Sequence, residues 1–294
     1  MSHSFFSSLR VLRVSALGAL CLTMAACHRT GASIEVGNRR APDDSTSLRI
    51  ACTPTAESLP FYYAVRSGIC DSIGLPLRVK TYFAQFDADT ALLGRMVDGG
   101  VTDQYRAAYY RSRGKMRDFD HFLSLDGRWS LVAGGRLRIR ELRNLKGRTV
   151  GMARFANSDH YISRLRDSLR LKSDDLFYAQ INSYRIRLLM LQNEQIDCAV
   201  LPEPYASRAL AEGNVRLSAA RPAEMQMSLF LRQCALRNKR HRNQAQLLRK
   251  AYNLAVADLN KGRSPHLDTV LVRDYQVPAN QLSAIRLPHY EPAH

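Results

Sequence analysis

The hydrophobic positions from Leu48 onward form short runs rich in β-branched residues, separated by longer runs with helical spacing. The short runs predict strands at Leu48–Cys52, Leu77–Phe83, Val101–Asp103, Arg148–Ala153, Phe177–Ile181 and Ile196–Leu201. The longer runs predict helices at Pro60–Ser67, Ala88–Val97, Asn157–Leu169, Tyr184–Gln192 and Leu247–Leu259. Strands that alternate with helices in this way usually form a parallel sheet with helices on both faces. The pattern therefore predicts an α/β protein.

The strand and helix alternation occurs twice along the chain. It stops at the extended stretch Phe119–Gly135 and starts again at Arg148, and a second extended stretch, Met225–Leu231, precedes the last helix. We therefore expect two lobes, each with a mainly parallel sheet and flanking helices. The two extended stretches are predicted to cross between the lobes and to form a hinge, near Ser124–Gly135 and near Met225–Arg232. Residues 48–127 and 233–294 are assigned to the first lobe, and residues 128–232 to the second lobe with the crossings.

The N-terminus has the pattern of an export signal. Arg10 and Arg13 precede the apolar stretch Val14–Ala26, which is too short to span a bilayer. The segment Leu22–Cys27 resembles the lipobox of bacterial lipoproteins, although Met24 stands where leucine is more usual. This resemblance implies that residues 1–26 are removed and that Cys27 is acylated as the mature N-terminus. The alternative is a buried N-terminal helix that ends in an ordinary cysteine.

The segment that follows the cysteine is predicted to be a tether. Residues 27–47 are rich in Gly, Ser, Thr, Asn, Asp and Arg and show no sustained apolar period. We expect the folded part to begin near Leu48.

Composition narrows the function classes further. The chain has 294 residues with 43 basic and 26 acidic side chains, a net charge of +17, and only seven of the basic residues are lysine. The arginines are scattered, and the densest cluster, Arg237–Arg242, is interpreted as a solvated helix end, so nucleic-acid binding is not expected. The six cysteines include no CxxC pair, which argues against zinc or redox sites. We expect buried free thiols and neither a metal nor a cofactor.

Several segments together resemble one family. They are Leu48–Ala51 followed by Leu59–Ala64, then Leu145–Gly151, and finally Ile196–Ala206 with its Glu-Pro pair. Their order and spacing resemble the substrate-binding proteins of ABC importers, in the branch that binds nitrate, sulfonates, taurine and thiamine precursors. The resemblance implies a type II periplasmic binding fold with a ligand cleft between two lobes. It also implies an extracytoplasmic, monomeric lipoprotein that serves an ABC permease and separate ATPase subunits.

Candidate ligand residues follow from the strand order. In open parallel sheets, ligands bind at the carboxyl ends of strands, beside the N-termini of the next helices. The polar and aromatic residues at these places are Thr53, Thr55, Glu57, Ser58, Asp103, Tyr105, Arg154, Asn157, Ser158, His160, Asn182, Glu203 and Tyr205. Such a set suits the capture of a small polar molecule. Structural alternatives stay open for each residue: Asp103, Asn157 and Ser158 could cap helices, His160 could be exposed, and Tyr205 could belong to the core.

The charges at the predicted mouth suggest a ligand class. Four of the positions carry carboxylates, at Glu57, Asp103, Asp159 and Glu203, whereas Arg154 is the one clear cation. Carboxylates accept hydrogen bonds from amino groups, and tyrosine rings stack on flat heterocycles. We therefore expect a nitrogen-bearing ligand, such as an aminopyrimidine, rather than a simple oxyanion.

Catalytic motifs are not found in the sequence. It contains no HExxH, no GxSxG, no phosphate-binding glycine loop and no GxGxxG after a strand. The first alternative function is an enzyme of the same fold, of the pyrimidine-forming or chorismate-dehydrating kind, but such relatives are expected in the cytoplasm. The second alternative is a sensor lipoprotein. The lipobox favours an exported binding protein over the enzyme.

Overall fold

A computed structural model describes residues 34–38, 46–125, 127–237 and 239–293. The predicted signal segment, residues 1–26, and the predicted lipidation site, Cys27, lie outside the described residues.

The described part alternates strands with helices, as the hydrophobic pattern predicts. The strands are β1 (Ile34–Gly37), β2 (Leu48–Cys52), β3 (Leu77–Thr81), β4 (Gly99–Asp103), β5 (Phe119–Leu125), β6 (Trp129–Ala133), β7 (Arg148–Met152), β8 (Leu176–Gln180), β9 (Cys198–Pro202), β10 (Val215–Ala219) and β11 (Met227–Arg232). The α-helices are α1 (Leu59–Arg66), α2 (Ile69–Ser72), α3 (Gln85–Leu93), α4 (Gln104–Ser112), α5 (Asn157–Ser168), α6 (Tyr184–Gln192), α7 (Tyr205–Ala211), α8 (Gln233–Arg237), α9 (Lys239–Leu259) and α10 (Pro265–Thr269).

The first sheet has the strand order β1-β3-β2-β4-β11-β5. Strand β2 pairs in parallel with β3 and β4, whereas β1, β11 and β5 join in antiparallel pairs. Successive residues of a strand point to opposite faces, and both faces are covered here. Ile50 packs into the core that contains Leu59 of α1 and Leu248 of α9, whereas Ala51 packs against Leu92 of α3 on the other face.

The second sheet has the order β10-β6-β9-β7-β8. Strand β7 is parallel to β8 and β9, and β6 and β10 are antiparallel. The central strand β9 is buried along its whole length, which explains why its apolar run stands out in the sequence. The predicted α/β architecture with two sheets is therefore confirmed. In the first sheet the parallel strands lie between antiparallel ones, whereas in the second sheet the parallel strands β9, β7 and β8 reach one edge and the antiparallel strands β6 and β10 form the other side.

The lobe boundaries differ from those predicted. The chain passes from the first sheet to the second between Leu125 and Trp129, and it returns between Ala219 and Met227. Strand β11 therefore belongs to the first lobe, although residues up to 232 were assigned to the second. The sequence of an extended run does not indicate which sheet it joins. The pairing of β11 with β4 and β5 assigns this strand to the first sheet. We use "first lobe" for residues 34–38, 46–125 and 227–275, and "second lobe" for residues 127–226.

The predicted tether of residues 27–47 is wrong where β1 forms. Ile34–Gly37 pairs antiparallel with β3, and Val36 is buried. The Asn38 side chain then bonds the backbone of Leu75 and Leu77, at 2.8 and 3.2 Å. Four residues with two apolar positions are too short to give a periodic signal, and the strand is stabilised by pairing with the edge of β3.

The C-terminal tail, residues 276–293, touches both lobes. The backbone N–H of Arg286 donates to Ser207 Oγ of α7 at 3.0 Å, in the second lobe. Further along, the backbone N–H of Tyr290 donates to Asn260 Oδ1 at 3.0 Å, at the end of α9 in the first lobe. The two lobes are therefore connected at a third place, in addition to the two crossings, which the sequence pattern does not predict.

Gly127 lies on the first crossing, against the second one. A Cβ atom at this position would clash with the Met225 carbonyl oxygen and would lie 2.8 Å from Trp129 Nε1. Because both neighbours are held in place, we expect Gly127→Ala to destabilise the protein by about 2 kcal/mol. Thermal unfolding followed by circular dichroism measures this change.

Gly134→Ala is the matched control for Gly127→Ala. The nearest atom to a Cβ at position 134 is Leu137 Cδ1, at 3.4 Å, so this variant should unfold at nearly the wild-type temperature. Equal stability of the two variants would contradict the close contact between the crossings.

Candidate functional site

The loops that follow the central strands of the two sheets meet where the lobes touch. The backbone N–H of Ala56, after β2, donates to the carbonyl of Glu203, after β9, at 2.8 Å. The backbone N–H of Asn157, at the start of α5, faces the Asp103 carboxylate at the end of β4, and it lowers the pKa of this carboxyl against the larger effect of burial. The strand ends selected from the sequence are therefore brought together between the lobes, and we call this region the cleft.

Arg106 on α4 is the central charge of the cleft. Its Nη1 donates to Asp89 Oδ2 of α3 at 3.1 Å, and its Nη2 donates to Asn182 Oδ1 of the second lobe at 3.2 Å. Asp103 caps α4 by accepting the backbone N–H of Arg106 at 2.9 Å. Burial raises the pKa of Asp103 to about 7, and the neighbouring Arg106 charge opposes that shift. One guanidinium thus holds two buried carboxylates and reaches across to the second lobe.

Gln85 extends this network. Its Nε2 donates to Asp89 Oδ1 at 2.9 Å and to the Val101 carbonyl at 3.0 Å. Its Oε1 accepts from the Tyr184 hydroxyl of α6, across the lobes, at 3.5 Å. Thr53 Oγ1 contacts the same oxygen at 3.5 Å. Contacts within the first lobe therefore orient the Gln85 side chain, and its Oε1 atom is directed at the second lobe.

Asn157 contributes from the second lobe. Its Nδ2 donates to the Gln226 carbonyl at 3.2 Å, whereas its Oδ1 is buried and has no hydrogen-bond partner among the described residues. Arg106 Nε likewise makes no hydrogen bond there and lies 3.6 Å from Asp103 Oδ2. Asn157 Oδ1 and Arg106 Nε are therefore buried polar atoms of the cleft without a hydrogen bond among the described residues, and buried groups of this kind call for an explanation. Side-chain oxygens of Thr55, Glu57, Ser58 and Thr102 are in the same position.

Glu57 lies beside the crossings. Its Oε1 accepts a hydrogen bond from Trp129 Nε1 at 2.7 Å, and the indole packs edge-on against the Tyr184 ring. Burial raises the pKa of Glu57 to about 7, although bonds from Thr55 and Trp129 lower it. Glu57 therefore joins the first lobe to the first residue of β6.

Glu203 and Tyr205 are fully buried in the second lobe. Glu203 Oε2 accepts the backbone N–H of Ser207 at 3.0 Å, and burial raises the pKa of this carboxyl. Tyr205 packs with its ring centre 6.0 Å from that of Tyr184. Glu203 therefore has a structural partner at the start of α7.

Two aromatic pairs span the outer part of the cleft. Tyr105 stacks on His160 with ring centres 4.1 Å apart, and Tyr109 stacks on Phe155 at 4.6 Å. Each pair joins α4 of the first lobe to residues at the beginning of α5. Arg154, next to Phe155, is exposed.

The structure brings most of the predicted site residues together, but not all face the cleft. Thr53, Asp103, Tyr105, Asn157, His160 and Asn182 contact groups of the opposite lobe or the network that does. Ser158 is used locally, because its hydroxyl bonds the backbone of Ala153. Thr55 and Ser58 are buried beside Glu57, and Arg154 points to solvent.

Sequence reasoning missed the residues with the most contacts. Gln85 lies just after the second predicted strand, Leu77–Phe83. The rule that ligands bind at the carboxyl ends of parallel strands would have selected Gln85 if it had been applied to this strand too. Asp89 and Arg106 lie inside helices, and nothing in the sequence marks them. Arg187, also missed, is fully buried and bonds the carbonyls of Ile181 and Val200, and burial lowers its pKa to about 10.

The four carboxylates expected to receive a nitrogen-bearing ligand all have partners inside the protein. Asp103, Glu57 and Glu203 have those given above, and Asp159 Oδ2 accepts the backbone N–H of Phe155 at 2.9 Å. A carboxylate that already accepts such a bond has less capacity for a ligand. The basis of the expected aminopyrimidine class is therefore weaker in the structure than in the sequence.

Among the described residues, no group of three or more potential ligands is placed to hold a metal ion, and no helix is both long and apolar enough to cross a membrane. The described cysteines Cys52, Cys70 and Cys198 are buried free thiols, as expected, and Cys234 is an exposed free thiol.

Comparison with solved structures identifies the fold. No protein-family model and no curated protein matches the sequence. The alkanesulfonate-binding protein of Xanthomonas axonopodis pv. citri bound to MOPS is 14% identical, with a TM-score of 0.69 over 84% of this chain and 85% of that one. The ligand-binding component of an ABC-type import system from Staphylococcus aureus, with zinc bound, is 16% identical, with a TM-score of 0.67 over 81% and 82%.

A third similar structure is the periplasmic nitrate-binding protein of Synechocystis, at 14% identity and a TM-score of 0.64, over 80% of this chain and 68% of that one. The ligands named for these three proteins differ, namely alkanesulfonate, zinc and nitrate. At such low identity the likeness shows the fold alone, which is the periplasmic binding protein fold that the sequence resemblance implied.

The raised pKa of Glu57 predicts a pH dependence of stability. The folded carboxyl keeps its proton up to pH of about 7, whereas an unfolded glutamate loses it near pH 4.3. The stability from this group is therefore fully present below about pH 4 and falls as the pH rises toward 7. Glu57→Gln has no carboxyl at this position and should not show this decline. The free energy of unfolding of the variant minus that of wild type should therefore rise by up to about 3 kcal/mol between pH 4 and pH 8. Thermal unfolding between pH 4 and pH 8 measures it.

Glu141→Gln, at an exposed position, is the control for general effects of removing a carboxylate. A constant difference between Glu57→Gln and wild type across this pH range would show that Glu57 does not titrate as its burial implies.

Proposed function

We propose that this protein is the solute-binding component of an ABC importer, and that it captures a small polar ligand between its two lobes. The observation that carries the proposal is the polar composition of the contact between the lobes. Arg106, Gln85 and Asp103 from the first lobe meet Asn182, Tyr184 and Asn157 from the second. Interfaces built from polar groups separate at low cost, because each group can bond water instead.

Two states follow from this arrangement. With the lobes apart, Arg106, Asn182 and Asn157 are hydrated; with the lobes together, they bond each other or a ligand that bridges them. A ligand that contacts both lobes stabilises the closed state by its differential affinity. The unsatisfied Asn157 Oδ1 and Arg106 Nε supply an acceptor and a donor for such a ligand. The membrane permease then recognises the closed state of the protein.

The partners follow from the same proposal. The sequence has no phosphate-binding glycine loop, so separate ATPase subunits drive the import. Acylation at Cys27 holds the protein at the outer face of a bacterial membrane, close to its permease, and the folded part acts as a monomer. The enzyme alternative has no support in the cleft, because the carboxylates there bond arginine, indole and backbone groups. The sensor alternative would be favoured by a cleft that stays open and does not close when ligand is added.

Ligand-induced closure is measured best through Trp129. It is the only tryptophan, and it is buried at the first crossing, in contact with Glu57 and Tyr184. We expect one member of a probe panel, comprising ethanesulfonate, taurine, nitrate and 4-amino-5-hydroxymethyl-2-methylpyrimidine, to change Trp129 fluorescence saturably. The same probe should reduce the radius of gyration or raise the melting temperature.

Asn182→Ala removes the second-lobe partner of Arg106 and should weaken binding of that probe by about tenfold. Asn144→Ala, in the second lobe but away from these contacts, is the matched control. If a probe binds tightly and neither the fluorescence, the scattering nor the Asn182 variant responds, the ligand does not lie between the lobes.

The lipid anchor is tested separately. Cys27→Ala should abolish labelling by a fatty-acid probe and should release the protein from the membrane fraction. Cys21→Ala changes a cysteine inside the apolar stretch and should leave labelling unchanged. Labelling that persists in Cys27→Ala would rule out this anchor.

A further inference from the structure

A second pocket lies beside the cleft, on another face of α6. It has a volume of about 200 Å³ and is lined by Phe83 and Tyr275 of the first lobe, by Gln276 of the tail, and by residues of the second lobe that include Arg185, Tyr205 and Arg208. Tyr184 of α6 faces Gln85 in the cleft, whereas the next residue, Arg185, lines this pocket. Successive helical residues point about 100° apart, so the two sites lie on different faces of the helix. We call this second site the lateral pocket.

The two arginines of the lateral pocket make no ion pair with a described carboxylate. Arg185 Nη1 contacts Gln276 Oε1 at 3.4 Å, and Arg208 Nε donates to Gln281 Oε1 at 2.9 Å. Glu212 is the nearest acid to influence Arg208, but its two carboxylate oxygens accept hydrogen bonds from Gln281 and Gln192.

Two arginines of the first lobe have acidic partners. Arg66 pairs with the buried Asp274 at 2.6 Å, and Arg106 pairs with Asp89 at 3.1 Å. At the lateral pocket, by contrast, the hydrogen bonds of the two guanidinium groups go to amide oxygens, and Arg208 also lies over the Tyr205 ring. Burial lowers the pKa of Arg208, Tyr205 and Glu212 oppose that shift, and the charge of Arg185 adds to it, so an anion bound between the two arginines would relieve part of this electrostatic cost.

The remaining walls are flat and apolar. The rings of Phe83, Tyr205 and Tyr275 line the lateral pocket together with leucines of α6. The Tyr275 hydroxyl is already used, because it donates to the Thr55 carbonyl at 2.7 Å, so this residue offers its ring rather than its polar end. A cavity of about 150 Å³ holds a benzene molecule, so the lateral pocket has room for one ring and a small charged group.

We propose that the lateral pocket binds a small aromatic carboxylate, with the carboxylate between Arg185 and Arg208 and the ring among the aromatic side chains. Guanidinium groups bind carboxylates through paired hydrogen bonds, and aromatic rings favour stacked or edge-on contacts with one another. Because both lobes and the tail line the pocket, this anion stabilises the contact between the lobes without entering the cleft. It therefore acts as a second ligand that favours the closed state.

Calorimetry with benzoate at low ionic strength tests the proposal on the purified full-length protein. Benzoate should bind saturably, and acetate, which lacks the ring, and benzyl alcohol, which lacks the charge, should each bind at least about tenfold more weakly. Arg185→Gln and Arg208→Gln should each weaken benzoate binding by about tenfold or more. Arg185 is exposed, so its variant tests the pocket even if Arg208→Gln impairs folding.

Arg143→Gln, at an exposed position away from the pocket, is the control for the loss of one positive charge and should bind benzoate as wild type does. Benzoate binding that is absent, or that is unchanged in both Arg185→Gln and Arg208→Gln, overturns the proposal. Binding that survives both changes but is lost in Arg106→Gln would place the anion in the cleft and also overturns it. The cleft is tested separately, with the probe panel and Trp129 fluorescence. A negative result with benzoate therefore does not affect the test of the proposed function, and the reverse also holds.

Discussion

The buried charge of Arg106 is the constraint on which the cleft depends. Removing one partner of a buried ion pair costs about 3–5 kcal/mol, because the other charge is left without its partner. Asp89 and Asp103 supply the compensation, and they fix the side chain so that its remaining N–H groups point at the second lobe. Gln85 then holds Asp89 and meets Tyr184. The orientation of the first-lobe cleft groups therefore follows from neutralising one arginine.

A second buried acid has the corresponding role at the crossings. Glu57 accepts the Trp129 indole N–H, and Gly127 leaves the space in which the two crossings touch. The connection between the lobes is thus tight and polar at the crossings, polar in the cleft, and stacked aromatic at the outer edge. Such a graded contact suits a protein whose lobes move against one another around fixed crossings.

The lateral pocket adds an electrostatic asymmetry to this arrangement. In the cleft, the positive charge of Arg106 is met by two carboxylates, whereas the hydrogen bonds of Arg185 and Arg208 go to neutral amides in the part of the chain that the structure describes, and Arg208 lies over the Tyr205 ring. The many arginines of the sequence therefore differ in kind. Arg106 is neutralised inside the protein, Arg187 is buried and bonds backbone carbonyls, and Arg185 and Arg208 are the pair that we propose binds an anion.

The sequence by itself determined the α/β class, the two-fold alternation of strands and helices and most element positions, because these depend on local periodicity. The tertiary structure alone decided that β11 joins the first sheet, that Ile34–Gly37 is a strand, and that Glu203 serves its own helix. It also decided the positions of Asp89 and Arg106 at the cleft and of Arg187 inside the second lobe. These outcomes depend on which distant backbone groups and charges meet, and residues far apart in sequence carry no local pattern that reports their contact.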